Sequence, residues 1–170
     1  MLLYHGSNLI VNEPRLLAEQ RNLDFGAGFY CTTNKRQAVG FSQKVCERIY
    51  TNTGSVSGAP TVSIYEIDVD VAKKALSVLE FPLADEAWLA FVAQNRRGIY
   101  KGKIYDLVVG KVANDNVFPN ILAYLSGLQS SAVTLQELQV KPLFDQYTFK
   151  TAKALSFLKF VGTVPPQGGV

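Results

Sequence analysis

An α+β fold is expected for this chain, on three observations. Short β-prone runs such as YDLVVGKV and TVSIYEIDVD are interspersed with stretches of helical periodicity. Their mixed order, with several short strands and no internal repeat or linker, argues against a doubly wound sheet. A length of 170 residues, 48% hydrophobic and 18% charged, is ample for one core and short for two. A single domain over 1–160 follows, with a mobile C-terminal tail over 161–170.

The chain opens with LLY as a short strand. LIVNEPRLLAEQRNLDFGAG is an irregular segment whose turn residues and arginines suit a surface loop. GFYC is a second strand. In TTNKRQAVGFSQKVCERIY, Ala38, Phe41, Val45 and Ile49 recur at helical spacing, with Thr32, Thr33 or Asn34 available as the N-cap. TNTGSVSGAP is a flexible loop, and TVSIYEIDVD is a mixed-face strand. Two helical stretches follow at 70–79 and 84–96.

YDLVVGKV is the most strand-like run, and it ends in the turn ANDN. A helix is expected near Pro119, because proline suits the first helical turn. Thr134 and Glu137 have capping-box spacing at the head of a short helix. VKPLF and DQYTF read as closing strands, and TAKALSFLKF as a last helix with Leu155 and Leu158 inward. VGTVPPQGGV cannot continue that helix.

Composition limits the function classes. The formal charge of +3, from 17 Lys+Arg against 14 Asp+Glu, is spread without a long basic run, so it neither demands nor excludes nucleic acid. No apolar stretch approaches the roughly 18 residues of a membrane span, and MLLYHGSNL lacks the basic start and apolar core of a signal peptide. No membrane association and a cytoplasmic location are therefore expected. Cys31 and Cys46 have no second pair and no histidine beside them, so they read as free thiols and no metal site is expected.

The one histidine of the chain sits in YHGS, and two later blocks supply partners for it. GFYCTTNKRQAVGF places Tyr30 at a strand end and Phe41 eleven positions later on a helix, and DQYTF places Gln146 before Tyr147. The three blocks, in this order, resemble the ADP-ribosyltransferase superfamily, in the branch shared by diphtheria toxin and the poly(ADP-ribose) polymerases. Those enzymes carry His-Gly-Ser/Thr on one strand, two aromatics eleven apart on a strand-to-helix unit, and an acidic residue before Tyr on a later strand. The chain is similar to a bacterial family placed in this superfamily, as a His-Tyr-Gln variant. The resemblance implies a split β-sheet core with surrounding helices, and NAD as substrate.

What the resemblance implies for each residue has a chemical reason. NAD carries nicotinamide as a leaving group, and the ribose left behind resembles an oxocarbenium ion, as in glycoside cleavage. His5 would hydrogen-bond the adenosine ribose. Gly6 would let its backbone approach the nicotinamide carboxamide, and Ser7 would support that turn. Tyr30 and Phe41 would enclose the nicotinamide ring, with Phe41 in place of the more usual tyrosine. Arg21, or else Arg15, would meet the pyrophosphate. At Gln146 the relatives have glutamate, whose charge stabilises the developing cation, whereas an amide keeps only the hydrogen bond to the 2′-hydroxyl. Asp145 should point to the opposite face. Asp106, Asn114 and Asp115 form a second polar cluster with no assigned role, and Arg96 and Arg97 mark a helix end, with a nucleic-acid contact as the lesser reading.

Two classes of function stay open. One is an enzyme that transfers ADP-ribose from NAD to an unidentified protein or nucleic-acid acceptor, as an intracellular toxin or effector with a neutralising protein, and with NAD hydrolysis as a side reaction. The other is a module that binds NAD or ADP-ribose without turnover. RNA 2′-phosphate transfer needs basic catalytic residues that the sequence does not present.

Overall fold

A computed structural model describes residues 1–17, 23–112, 118–139 and 144–164. These form an α+β arrangement, one mixed sheet of seven strands with six helices. The strands are β1 (Leu2–Ser7), β2 (Phe29–Thr32), β3 (Thr61–Glu66), β4 (Val78–Glu80), β5 (Leu107–Lys111), β6 (Asp145–Phe149) and β7 (Lys159–Val164). Their order across the sheet is β4-β5-β6-β2-β1-β3-β7. All neighbours are antiparallel except β4 and β5, which run parallel.

The helices start where the sequence offers a side-chain cap. Asn34 caps α1 (Lys35–Thr53) by accepting the Gln37 N–H at 3.0 Å, which selects it from the three cap candidates. Asp68 caps α2 (Val69–Ala75) and Asp85 caps α3 (Glu86–Arg96) in the same way. Helix α4 (Phe118–Leu125) has Pro119 in its first turn, as expected. At α5 (Ser131–Gln139) the expected box does not form. Thr134 lies inside the helix and donates to the Ser130 carbonyl, while Ser130 Oγ accepts the Val133 N–H and does the capping. Thr151 caps the short α6 (Ala152–Leu155).

Two expectations fail at short strands. The helix expected over 70–79 stops at Ala75, because Val78–Glu80 pairs with β5 instead. The helix expected over TAKALSFLKF is only α6, and Lys159–Val164 pairs with β3. Residues 161–164 are therefore strand and not a mobile tail, and the rest of that tail lies outside the described residues. Most of VKPLF lies outside them too.

Register fixes which side chains share a face, since directly opposed residues of antiparallel strands project to the same side. Leu3, His5, Phe29, Cys31, Tyr65, Leu107 and Phe149 occupy one face, whose apolar members pack with Ala72 of α2, Leu76 after it, and Ala154 and Leu155 of α6. Tyr4, Gly6, Tyr30, Thr32, Val108, Gln146 and Thr148 occupy the other. There α1 packs over β1 and β3 through Ala38, Val62 and Val164. Helices α3, α4 and α5 pack over Val108 through Trp88, Leu89, Val92, Ile121 and Leu138. Strands β1 and β2 meet at a single register pair, Tyr4 with Thr32, whereas β1 and β3 pair over six positions. The middle of the sheet is therefore loosely joined where His5 and Gly6 lie. No described helix is long and apolar enough to cross a membrane.

Candidate active site

His5 bridges the loosely joined strands. Its Nδ1 lies 2.7 Å from the Tyr30 carbonyl oxygen, and its ring stacks on Phe29 with centroids 4.2 Å apart and planes 25° apart. A carbonyl only accepts, so Nδ1 carries the proton and Nε2 is the acceptor of a neutral imidazole. Burial lowers the pKa of the ring, and the hydrogen bond to Tyr30 opposes this more weakly. The imidazole therefore stays neutral near pH 7 and presents an acceptor nitrogen.

Gly6 has no room for a side chain. A Cβ there would lie 2.2 Å from the Ala38 carbonyl oxygen and 2.9 Å from the Ser42 nitrogen of α1. The glycine expected for close approach to a ligand is thus already required by close approach to a helix. Ser7 Oγ donates to Asn8 Oδ1 at 3.3 Å, and Asn8 reaches the Ser57 carbonyl through Nδ2 at 3.0 Å. Ser7 therefore supports the end of β1, against the loop before β3.

Tyr30 is held at its hydroxyl. The oxygen accepts the Phe25 N–H at 3.1 Å and donates its proton to the Gly26 carbonyl, while the ring packs at the edge of the cluster containing Trp88 and Phe25. Burial first, and then the Asp24 carboxylate, push the phenol far above its usual range, so it is no base. Phe41 stands on α1 with 46% of its surface exposed and makes no ring contact with Tyr30. Sequence periodicity counts Phe41 among the inward residues of α1, but the helix buries Ala38 and Ser42 and leaves the phenyl ring outside.

Gln146 is 8% exposed, and its Nε2 has no hydrogen-bond partner among the described residues. It lies directly opposite Thr32 on β2 and Gly110 on β5. Asp145 projects to the opposite face, as expected, where Lys111 pairs with it at 2.8 Å. No carboxylate of β6 therefore shares the face of Gln146.

The remaining candidates divide. Arg21, Asn114 and Asp115 lie outside the described residues. Arg15 is exposed and pairs with Glu13 at 3.1 Å. Asp106 accepts the Ser77 N–H at 2.9 Å and the Thr151 hydroxyl at 2.7 Å, contacts that hold its carboxyl below the usual range and make it a structural staple. Arg96 pairs with buried Asp24, and Arg97 donates to the Leu125 carbonyl. Among the described residues no group of three His, Cys, Asp or Glu is placed to hold a metal, and Cys31 and Cys46 are free thiols.

Sequence reasoning missed Thr32 and Gln37. Thr32 Oγ1 accepts the Asn34 N–H at 3.1 Å and lies 2.7 Å from Gln37 Oε1 and 3.0 Å from the Asp145 carbonyl oxygen. The signal was Asn34-x-x-Gln37, the spacing of a capping box. It missed Phe29 as well, because stacking on an imidazole leaves no mark in sequence spacing.

No curated protein and no solved structure matches the chain. A family model described as "Protein of unknown function (DUF3990)" matches residues 1–160, and to that family the chain belongs.

Proposed function

We propose that the chain is an ADP-ribosyltransferase that cleaves the nicotinamide–ribose bond of NAD and passes ADP-ribose to a macromolecular acceptor. One observation carries this reading: Gln146 keeps a buried amide nitrogen without a partner, on the same face as Tyr30 and Thr32. Leaving such a donor unpaired costs about 1–3 kcal/mol, a cost that a ligand oxygen would remove. The neutral His5 adds an acceptor nitrogen at the gap between β1 and β2. The single register pair between those strands supports the split-sheet core implied by YHGS, GFYCTTNKRQAVGF and DQYTF.

In this reading His5 Nε2 accepts a hydroxyl of the adenosine ribose, while Tyr30 and the exposed Phe41 border the nicotinamide. Gln146 holds the 2′-hydroxyl of the nicotinamide ribose. The function fits a cytoplasmic toxin or effector with a neutralising protein. The acceptor is a protein or a nucleic acid, and no membrane is involved.

A second reading has an observation in its favour. The face of Gln146 receives no carboxylate from β6, because Asp145 is on the other side with Lys111. A site without that charge would grip NAD or ADP-ribose and release it unchanged. Radiolabelled NAD incubated with the pure protein and a cell lysate separates these readings. Label on a macromolecule supports the transferase, free ADP-ribose supports a glycohydrolase, and bound intact NAD supports the binding module. Absence of both binding and consumption would refute the NAD reading.

A further inference from the structure

Gln37 projects from the first turn of α1, over the strand residue that faces Gln146. In an ordinary capping box the side chain at this position accepts the N–H of the cap residue. Here Thr32 Oγ1 takes the Asn34 N–H instead, at 3.1 Å, and Gln37 Oε1 lies 2.7 Å from that hydroxyl. The Thr32 proton therefore goes to Gln37 Oε1, the shorter of its two acceptor contacts, which turns the amide so that its oxygen is occupied. Among the described residues no hydrogen bond is made by Gln37 Nε2. Thr32 is also the register partner of Gln146, whose buried Nε2 is likewise without a partner among the described residues. One threonine thus stands between two amides, each with its NH2 left to donate.

Two neutral donors on either side of one threonine match two neighbouring hydroxyl oxygens. We propose that Gln37 is a second binding amide which, with Gln146, grips the cis-diol of the nicotinamide ribose, Gln146 at the 2′-hydroxyl and Gln37 at the 3′-hydroxyl. This inference rests on the NAD reading. It goes further in assigning to Gln37 a binding role that a capping position does not require, and in naming the diol as what the site recognises. Each hydroxyl accepts from its amide while its own proton remains available to other partners.

The test is binding of NAD and of its 3′-deoxy analogue, altered at the nicotinamide ribose, measured by calorimetry on the whole chain. The unaltered protein should bind NAD about tenfold tighter than the analogue, the loss expected when a site's polar group is left unpaired. Gln37→Met should bring that ratio to about twofold or less, while preference for NAD over the 2′-deoxy analogue persists. Gln37→Leu removes the amide without adding a charge or a new acceptor for the hydroxyl, so in the folded protein it should likewise lose the 3′ discrimination. It also stands in if the methionine variant folds poorly. A tenfold ratio retained in either folded variant would overturn the assignment of Gln37 alone. Failure of the unaltered chain to bind NAD would overturn the NAD reading, and this inference with it.

Discussion

The segment Asp24–Tyr30 and the strand β6 carry buried polar groups of opposite character. In the first, the buried polar groups are answered. Asp24 pairs with Arg96 at 2.5 Å, the Phe25 N–H goes to Tyr30 Oη, the Phe25 carbonyl takes Lys150, and the Gly26 N–H reaches the Leu23 carbonyl at 3.0 Å. In the second, Gln146 keeps a buried nitrogen that nothing among the described residues answers. A satisfied network rigidifies, and an unsatisfied one reserves hydrogen bonds for a ligand. The first holds the strand that carries Tyr30, and the second is where chemistry is expected.

Substitutions should separate the two regions by the property they change. The largest effect is expected at Arg96. Its side chain is 19% exposed and that of Asp24 7%, so Arg96→Ala takes the guanidinium away from a buried carboxylate and should cost about 3 kcal/mol, read from urea denaturation. Tyr30→Phe comes next. It strands the Phe25 N–H and should cost about 1–3 kcal/mol in the same measurement. Gln146→Leu should not destabilise the chain, because it removes a buried nitrogen that no protein group among the described residues answers. The same variant should abolish NAD turnover in the labelled assay. A large stability loss there would place Gln146 with the clamp.

The smallest effect is a pH dependence at His5. Burial lowers its folded pKa below the ordinary 6.5, so under mild acid the unfolded chain binds the extra proton first. Stability should therefore be flat above that value, fall as pH drops below it, and level off once the folded imidazole is also protonated. Denaturation midpoints for the parent and His5→Gln, compared between about pH 7.5 and 5.5, should show this decline only in the parent.

Local chemistry made much of this legible. Asn34 as a cap, Pro119 at a helix start, and the β-branched run of β5 each follow from rules acting over a few residues. The turn of Asp145 away from Gln146 follows from strand alternation alone. The failures have a common cause in pairing across the sheet. Val78–Glu80 and the pair Lys159–Phe160 that opens β7 are too short for periodicity to tell helix from strand, and partners on β5 and β3 decide between them. At the site, His5, Tyr30 and Gln146 were found through motif order, which says nothing of faces. That His5 lies across the sheet from Tyr30 and Gln146, reaching Tyr30 only at its backbone, emerges from register. Gln37 is marked in the sequence only by standing three residues after Asn34, and its contact with Thr32 emerges in the fold.

Strand β7 ends the sheet, and the outer edge of such a strand is a template to which another chain can add. It is a poor one. The ladder to β3 shifts register between Ile64 and Tyr65, and Gly162, facing Ile64, adopts φ +148, a conformation favoured by glycine. The irregularity bends the strand, and Lys159 adds a charge at its start. A flat strand from a second molecule would meet a broken row of donors and acceptors, which protects the fold against edge-to-edge aggregation.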